Sequence, residues 1–178
     1  MNMFCFQCQE TARGEGCTVR GVCGKTEDVA NLQDLLIYVM KGIAVYAEEA
    51  KKYGIQDEQV GTFITRGLFS TITNVSFDPE DFVEKIREAF AVREDIRQKL
   101  FEAYQAETGE EYNRVWPDEC TWYSEDINEF YVKGASIGIL SIEDEDVRSL
   151  KELLTYGLKG IAAYIEHAYV LERKSEEI

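Results

Sequence analysis

The sequence predicts an all-α protein in which a cysteine-rich loop precedes a three-helix bundle, followed by the start of a second, duplicated bundle. Three observations support this prediction. Apolar residues recur every three to four positions over long stretches, which places them on one face of a helix. Only two prolines occur among 178 residues, which favours long uninterrupted helices. A 24-residue segment near the start also recurs near the end without gaps.

The first predicted helix covers residues 26–53. Thr26 is its expected N-cap because a hydroxyl there can accept a hydrogen bond from the first turn, and Gly54 is its expected end. Its apolar face is formed by Val29, Leu32, Leu35, Leu36, Val39, Met40, Ile43, Tyr46, Ala47 and Ala50.

Two further helices complete the predicted bundle. The second is expected at about 58–73, and the third begins with Asp78 as N-cap and Pro79 in the first helical position. The third helix is expected to end near Gly109. We predict that these helices pack as an antiparallel bundle.

The remaining chain is predicted to contain a loop, a short helix and a long final helix. Residues 110–124 are expected to form the loop, and a short helix at about 125–133 is expected to stop at Gly134. Ser141 is the expected N-cap of a last helix that covers about 143–172.

The last helix repeats the first. Residues 27–50 align with 145–168 at a constant offset, and 14 of the 24 positions are identical, including the run 41–44 against 159–162. Two unrelated amphipathic helices would share far fewer identities, because amphipathicity fixes the class of a residue and not its identity. The pattern therefore indicates an internal duplication.

The duplication leaves an apolar face without its matching helices. The residues of this apolar face are expected to pack on the first bundle, to contact another chain, or to contact a further part of a longer protein. The equivalent pairs Gly42 and Gly160, and Tyr46 and Tyr164, are expected to serve helix packing. The apolar residues concerned are Leu150, Leu153, Leu154, Leu158, Ile161 and Ile165.

Charge and composition exclude several classes of function. The net charge of −15 argues against a nucleic-acid partner, because phosphate contacts need clustered Lys and Arg. No signal-like start and no long apolar stretch occur, so we expect neither secretion nor a membrane partner. We predict a cytoplasmic protein whose cysteines stay reduced, which makes disulfides the weaker interpretation.

Four of the five cysteines lie in the first 23 residues: Cys5, Cys8, Cys17 and Cys23. Four thiolates separated by short loops can surround one compact metal centre. The uneven gaps favour an iron–sulfur cluster over zinc, whose ribbons pair two close knuckles, but the spacing alone leaves zinc open. Three basic residues, Arg13, Arg20 and Lys25, against Glu10 and Glu15 give residues 1–25 a net charge of +1, which suits an anionic centre.

The residues around these thiols resemble the start of the hybrid cluster protein family, also called hydroxylamine reductase. The similar segments are 3–11, 16–17, 21–25, 31–36, 67–74 and 143–150, so the resemblance spans essentially the whole chain. The cysteine spacing is similar to that of the anaerobe-type members, which hold a 4Fe–4S cluster.

The resemblance implies a helical first domain of two related bundles, with the 4Fe–4S cluster held by the four cysteines. It also implies reduction of hydroxylamine to ammonia, or of nitric oxide, at a second centre whose ligands have no counterpart here. The chain alone is therefore expected to relay electrons from a donor protein and to contain no catalytic residue. Its expected partners are missing C-terminal catalytic domains or a second copy in a homodimer.

The predicted domains are an iron–sulfur segment at 1–25, the first three-helix bundle at 26–109, a connecting loop and short helix at 110–140, and the first helix of an incomplete bundle at 141–178. Cys120 is expected to be a buried or idle thiol, and His167, the only histidine, is expected to have no metal role. The alternative to electron relay is a helical interaction module that binds zinc or no metal.

Overall fold

The computed structural model describes residues 3–8 and 10–173, and helices dominate this part of the chain. Two single 3-10 turns, at Ala12–Gly14 and Ile139–Ser141, accompany them. The helices are α1 (Glu27–Lys51), α2 (Glu58–Ser70), α3 (Pro79–Thr108), α4 (Asp118–Thr121), α5 (Ile127–Ile137) and α6 (Glu145–Val170). The all-α prediction is confirmed.

Helix α1 is the centre of the core. The Thr26 hydroxyl accepts a hydrogen bond from the Val29 amide at 3.4 Å, so the predicted N-cap is present. The predicted apolar face of α1 is buried, except for Ala47, which is partly buried. This face packs mainly on α3 and also contacts α2, α4 and α5. A helix surrounded on so many sides gains most of its stability from burial of its side chains.

Helix α3 begins and ends where the sequence predicted. The Asp78 carboxylate accepts from the Glu80 amide at 3.0 Å, and Pro79 takes the first helical position. Gly109 ends the helix with a φ of 73°, a left-handed conformation that glycine adopts without steric cost. Helix α2 is capped by Asp57, whose carboxylate accepts from the amides of Gln59 and Val60.

Three predicted boundaries are wrong. The predicted loop at 110–124 contains the short helix α4. Gly134 does not stop α5; it lies inside the helix, where a methyl group would overlap the backbone carbonyl oxygen of Asn31 on α1, and α5 continues to Ile137. The N-cap of α6 is Asp144 and not Ser141, because the Asp144 carboxylate accepts from the Val147 amide at 2.9 Å.

Helix α6 packs on α2, and its long apolar face is largely exposed. The leucines at 150, 153, 154 and 158, together with Ile161, are exposed, whereas Ile165 is partly buried. Gly160 has no neighbour that a methyl group would meet, and Tyr164 is 81% exposed, so the packing predicted for these two residues is wrong. Within the described part of the chain, no helix is long and apolar enough to cross a membrane.

Candidate metal centre

The cysteine-rich segment folds back so that two of its four cysteines face each other. Cys5 and Cys17 form an isolated antiparallel bridge. The Cys5 amide donates to the Cys17 carbonyl at 3.0 Å, and the Cys17 amide donates to the Cys5 carbonyl at 2.8 Å. A pair that exchanges both hydrogen bonds brings its Cα atoms to about 5.5 Å from each other. This loop is anchored on α1, because Met3 and Cys17 are buried together with Ala30.

The other two cysteines lie in turns of the same segment. The Cys8 carbonyl accepts from the Thr11 amide at 3.4 Å, and Cys8 itself is partly buried. Cys23 is exposed, and its thiol lies so close to Gly21 that a methyl group on that glycine would sit 3.0 Å from Cys23 Sγ. The absence of a side chain at Gly21 therefore allows the backbone to approach the sulfur.

None of the four thiols of this segment forms a disulfide, and their side chains are not gathered into one coordination site. All five cysteines are free. Among residues 3–8 and 10–173, no group of three or more Cys, His, Asp or Glu side chains is arranged to hold a metal ion. The structure thus brings Cys5 and Cys17 together through their backbones and not through their sulfurs.

The surroundings of the thiols fit an anionic metal–thiolate centre. The Ala12 amide points at Cys17 Sγ, 3.5 Å away. Lys25 is buried, and its Nζ lies 3.9 Å from Cys5 Sγ and 2.6 Å from Gln33 Oε1. A buried ammonium group favours a thiolate over a thiol and stabilises additional negative charge on the sulfurs. Of the three basic residues in this segment, only Lys25 turns inward, since Arg13 and Arg20 are exposed.

The aromatic residues before and after Cys5 cover the loop from one side. The rings of Phe4 and Phe6 lie 5.6 Å apart. Phe4 packs tightly on Gly16. A methyl group on this glycine would stand 2.9 Å from the Phe4 Cζ atom and closer still to the adjacent ring carbon, Cε2. Phe4 therefore shields the bridge between Cys5 and Cys17, whereas Phe6 is more exposed.

The chain matches a known family along nearly its whole length. The model of the Prismane/CO dehydrogenase family matches residues 3–178. The chain belongs to this family. It is 62% identical to a hydroxylamine reductase of Halothermothrix orenii, 53% identical to one of Kosmotoga olearia and 49% identical to one of Natranaerobius thermophilus, each over the whole of this chain. The resemblance to hydroxylamine reductases that the cysteine segment suggested is therefore confirmed.

This Prismane family chain is much shorter than those relatives. Each of the three matches covers 32% of the relative's length, so the chain spans about a third of the curated hydroxylamine reductases that it matches. The exposed apolar face of α6 is consistent with a chain that is one part of a larger protein.

A charged cavity beside Cys5 escaped the sequence analysis. It has a volume of about 70 Å³. Its lining includes Cys5 of the cysteine loop, Asp34 and Lys41 of α1, and Glu152 and Lys159 of α6. Burial raises the pKa of Asp34 to about 7 and lowers the pKa of Lys159 to about 8. The sequence offered one signal, since Asp34 is an acidic residue directly before Leu35 and Leu36, which belong to the apolar face of α1.

Two other residues that the sequence singled out in this Prismane family chain, Cys120 and His167, lie away from the cysteine loop. Cys120 is buried on α4, its Sγ lies 3.8 Å from the Gly42 carbonyl oxygen, and burial raises the pKa of its thiol to about 11. It is a buried structural thiol, as predicted. His167 is exposed on α6, and its ring stands edge-on to the Phe69 ring, 6.2 Å away.

Proposed function

We propose that this chain is the electron-relay domain of a hydroxylamine-reductase-like protein and that it holds a 4Fe–4S cluster through Cys5, Cys8, Cys17 and Cys23. The observation that carries the proposal is the buried Lys25 ammonium group, 3.9 Å from Cys5 Sγ, in a loop of four free thiols. A buried positive charge at this point costs desolvation free energy, which an anionic centre next to it offsets. Membership of the Prismane family supports the same assignment.

The residues of the chain prepare the loop for such a centre. When bound, a cluster of this type accepts and releases one electron at a time. The backbone bridge between Cys5 and Cys17 fixes two donors relative to each other. The Ala12 amide supports the Cys17 sulfur, and hydrogen bonds to cluster sulfurs are one of the factors that set the reduction potential. The Phe4 ring keeps water away from the loop.

The complete reaction belongs to the longer protein. Reduction of hydroxylamine to ammonia and water consumes two electrons and two protons, and we assign it, like nitric oxide reduction, to a second centre outside this chain. None of the 178 residues is therefore proposed as catalytic. The chain would receive electrons from a donor protein and pass them on within the complete enzyme.

The exposed face of α6 points to a further contact. We propose that the catalytic domains of the complete protein cover this face, or that a second copy of the chain covers it when the chain is alone. Light scattering that detects a dimer of the isolated chain would support the second arrangement. Neither a nucleic acid nor a membrane is proposed as a partner, and a cytoplasmic location is part of the proposal.

The test is metal analysis of the chain prepared without oxygen. We expect a brown protein with broad visible absorption and about four irons per chain. Substitution of Cys5, Cys8, Cys17 or Cys23 by serine should remove most of the iron and the colour. Cys120→Ala is the matched control, because it removes the remaining cysteine and should leave the iron content unchanged.

A helical interaction module that binds zinc or no metal is the alternative function, and its metal-free form agrees with the ungathered thiol side chains among the described residues. In that case the same preparation should be colourless and contain one zinc per chain, or no metal. Either result would overturn the electron-relay proposal and leave an interaction domain.

A further inference from the structure

The duplication brings two equivalent charged pairs to one cavity. Asp34 and Lys41 on α1 are seven residues apart, as are Glu152 and Lys159 on α6. Seven residues are about two helical turns, so both members of each pair lie on the same face of their helix. The two faces meet at the cavity of about 70 Å³ that also contacts Cys5.

The two lysines have different environments although they occupy equivalent positions. Lys41 is exposed, whereas Lys159 is only 6% exposed. With the Gln7 amide assigned so that its oxygen faces Lys159 and its nitrogen faces Thr71, the Lys159 ammonium group donates to Gln7 at 3.0 Å and the Gln7 amide nitrogen donates to the Thr71 carbonyl at 3.1 Å. Because Gln7 stands between Cys5 and Cys8, these bonds tie the cysteine loop to α6 and to the end of α2.

Lys159 remains charged near neutral pH in spite of its burial. Burial lowers its pKa and Lys25 adds to this effect, whereas Asp34, Glu152 and Cys5 oppose it, and the resulting pKa is about 8. The residue therefore places a buried positive charge at the cavity that Cys5 also lines. Lys25 supplies another buried positive charge next to Cys5, whereas Lys41, the counterpart of Lys159 on α1, is exposed.

We propose that Lys159 is a positioning residue that holds the Cys5–Cys8 segment through Gln7 and raises the reduction potential of a centre bound by the four cysteines. This inference rests on the proposed function. Reduction transfers one electron from the reductant to the centre, with no bond formed or broken, and makes the centre more negative by one charge. A nearby ammonium group stabilises that additional charge more than it stabilises the oxidised form.

The test is a potentiometric titration of the anaerobically prepared 178-residue chain, with dithionite as reductant. Lys159→Met should lower the ratio of reduced to oxidised centre at a fixed potential about tenfold, equivalent to about 59 mV for a one-electron couple. Lys159→Gln is a second neutral variant that can still bind Gln7, and it should show a similar decrease. Lys159→Arg keeps the charge and should retain most of the wild-type ratio.

Two control variants separate charge from loop anchoring. Lys41→Met neutralises the equivalent, exposed residue of the first repeat and should change the ratio less than about twofold, because solvent screens its charge. Gln7→Ala removes the hydrogen bond but leaves the Lys159 charge, so its effect should be smaller than that of Lys159→Met. An equal effect of Gln7→Ala and Lys159→Met on the ratio of reduced to oxidised centre would overturn the electrostatic role of Lys159.

The remaining outcomes also decide the question. Equal potentials in the wild type and both neutral Lys159 variants would overturn this inference while the proposed function stands. Failure of both neutral variants to hold iron, with Lys159→Arg still loaded, would support the positioning role. Failure of all three substitutions to hold iron would overturn the role of the charge. A wild-type chain without an iron–sulfur centre would overturn the proposed function and this inference together.

Discussion

Helices α1 and α6 share 14 of 24 aligned residues, yet one lies in the core and the other on the surface. Leu36 is fully buried on α1, and its equivalent Leu154 on α6 is 65% exposed. Tyr46 is buried against Trp116, with ring centroids 4.5 Å apart, whereas Tyr164 is exposed. The difference arises from the neighbours, because α1 is surrounded by α2, α3, α4 and α5 and α6 contacts mainly α2.

The comparison shows that an amphipathic face determines where a helix can pack and not whether it does. The same apolar pattern contributes hydrophobic stabilisation in one copy and an exposed patch in the other. The pair Lys41 and Lys159 shows the reverse, since the lysine of the second copy is the buried one. The two copies are therefore matched internal controls for each other.

The largest expected effect on stability is at the leucine pair. Leu36→Ala should lower the free energy of unfolding by about 3 kcal/mol, because it removes a fully buried side chain and leaves a cavity. Leu154→Ala should change it by less than about 0.5 kcal/mol, because that side chain is mostly in water. Urea unfolding of the two variants measures the difference. Equal losses would mean that the isolated chain buries α6 in solution.

The glycine pair should show smaller individual effects, of opposite signs. A methyl group on Gly42 would overlap the backbone carbonyl of Glu119 on α4, so Gly42→Ala should cost about 2 kcal/mol. Gly160 has open space around it, and Gly160→Ala should stabilise the chain by up to about 1 kcal/mol through helix propensity. Thermal or urea unfolding checks both signs. A stabilising Gly42→Ala would contradict the close packing of α1 on α4.

The smallest effect that we expect concerns the acidic pair, Asp34 and Glu152. Burial and Glu152 raise the folded-state pKa of Asp34 to about 7, against the attraction of Lys159, Lys25 and Lys41, from an ordinary value of 3.8. The folded state therefore holds a proton that the unfolded state loses first. The stability contribution of Asp34 is complete below about pH 4 and is lost as the pH rises to about 7.

Asp34→Asn should remove this decline and make the chain about 1 to 2 kcal/mol more stable than the wild type near neutral pH. Urea unfolding at several pH values between about 4 and 8 measures the effect. Glu152→Gln is the matched variant on α6 and should flatten the profile less. An unchanged pH profile in Asp34→Asn would show that Asp34 is ionised in the folded state throughout this range.

Much of the first bundle could be predicted because its signals are local. The caps at Thr26 and Asp78, the end at Gly109 and the spacing of apolar residues depend on hydrogen bonds and side chains within one or two turns. Gly134 was misinterpreted because a glycine that ends a helix and one that admits another backbone look alike in sequence. Only the contact with Asn31 distinguishes them.

The sequence by itself determined the helical class, the duplication, the four-cysteine segment and the family resemblance, because each is written in residue identity and spacing. The packing of the helices settles which copy of the repeated helix is buried and which basic residue faces the thiols. It also settles which of the two equivalent lysines, Lys41 or Lys159, is buried at the cavity beside Cys5. Those outcomes depend on the contacts between distant segments, and two identical residues 118 positions apart meet different neighbours. Burial and electrostatic environment are properties of those neighbours.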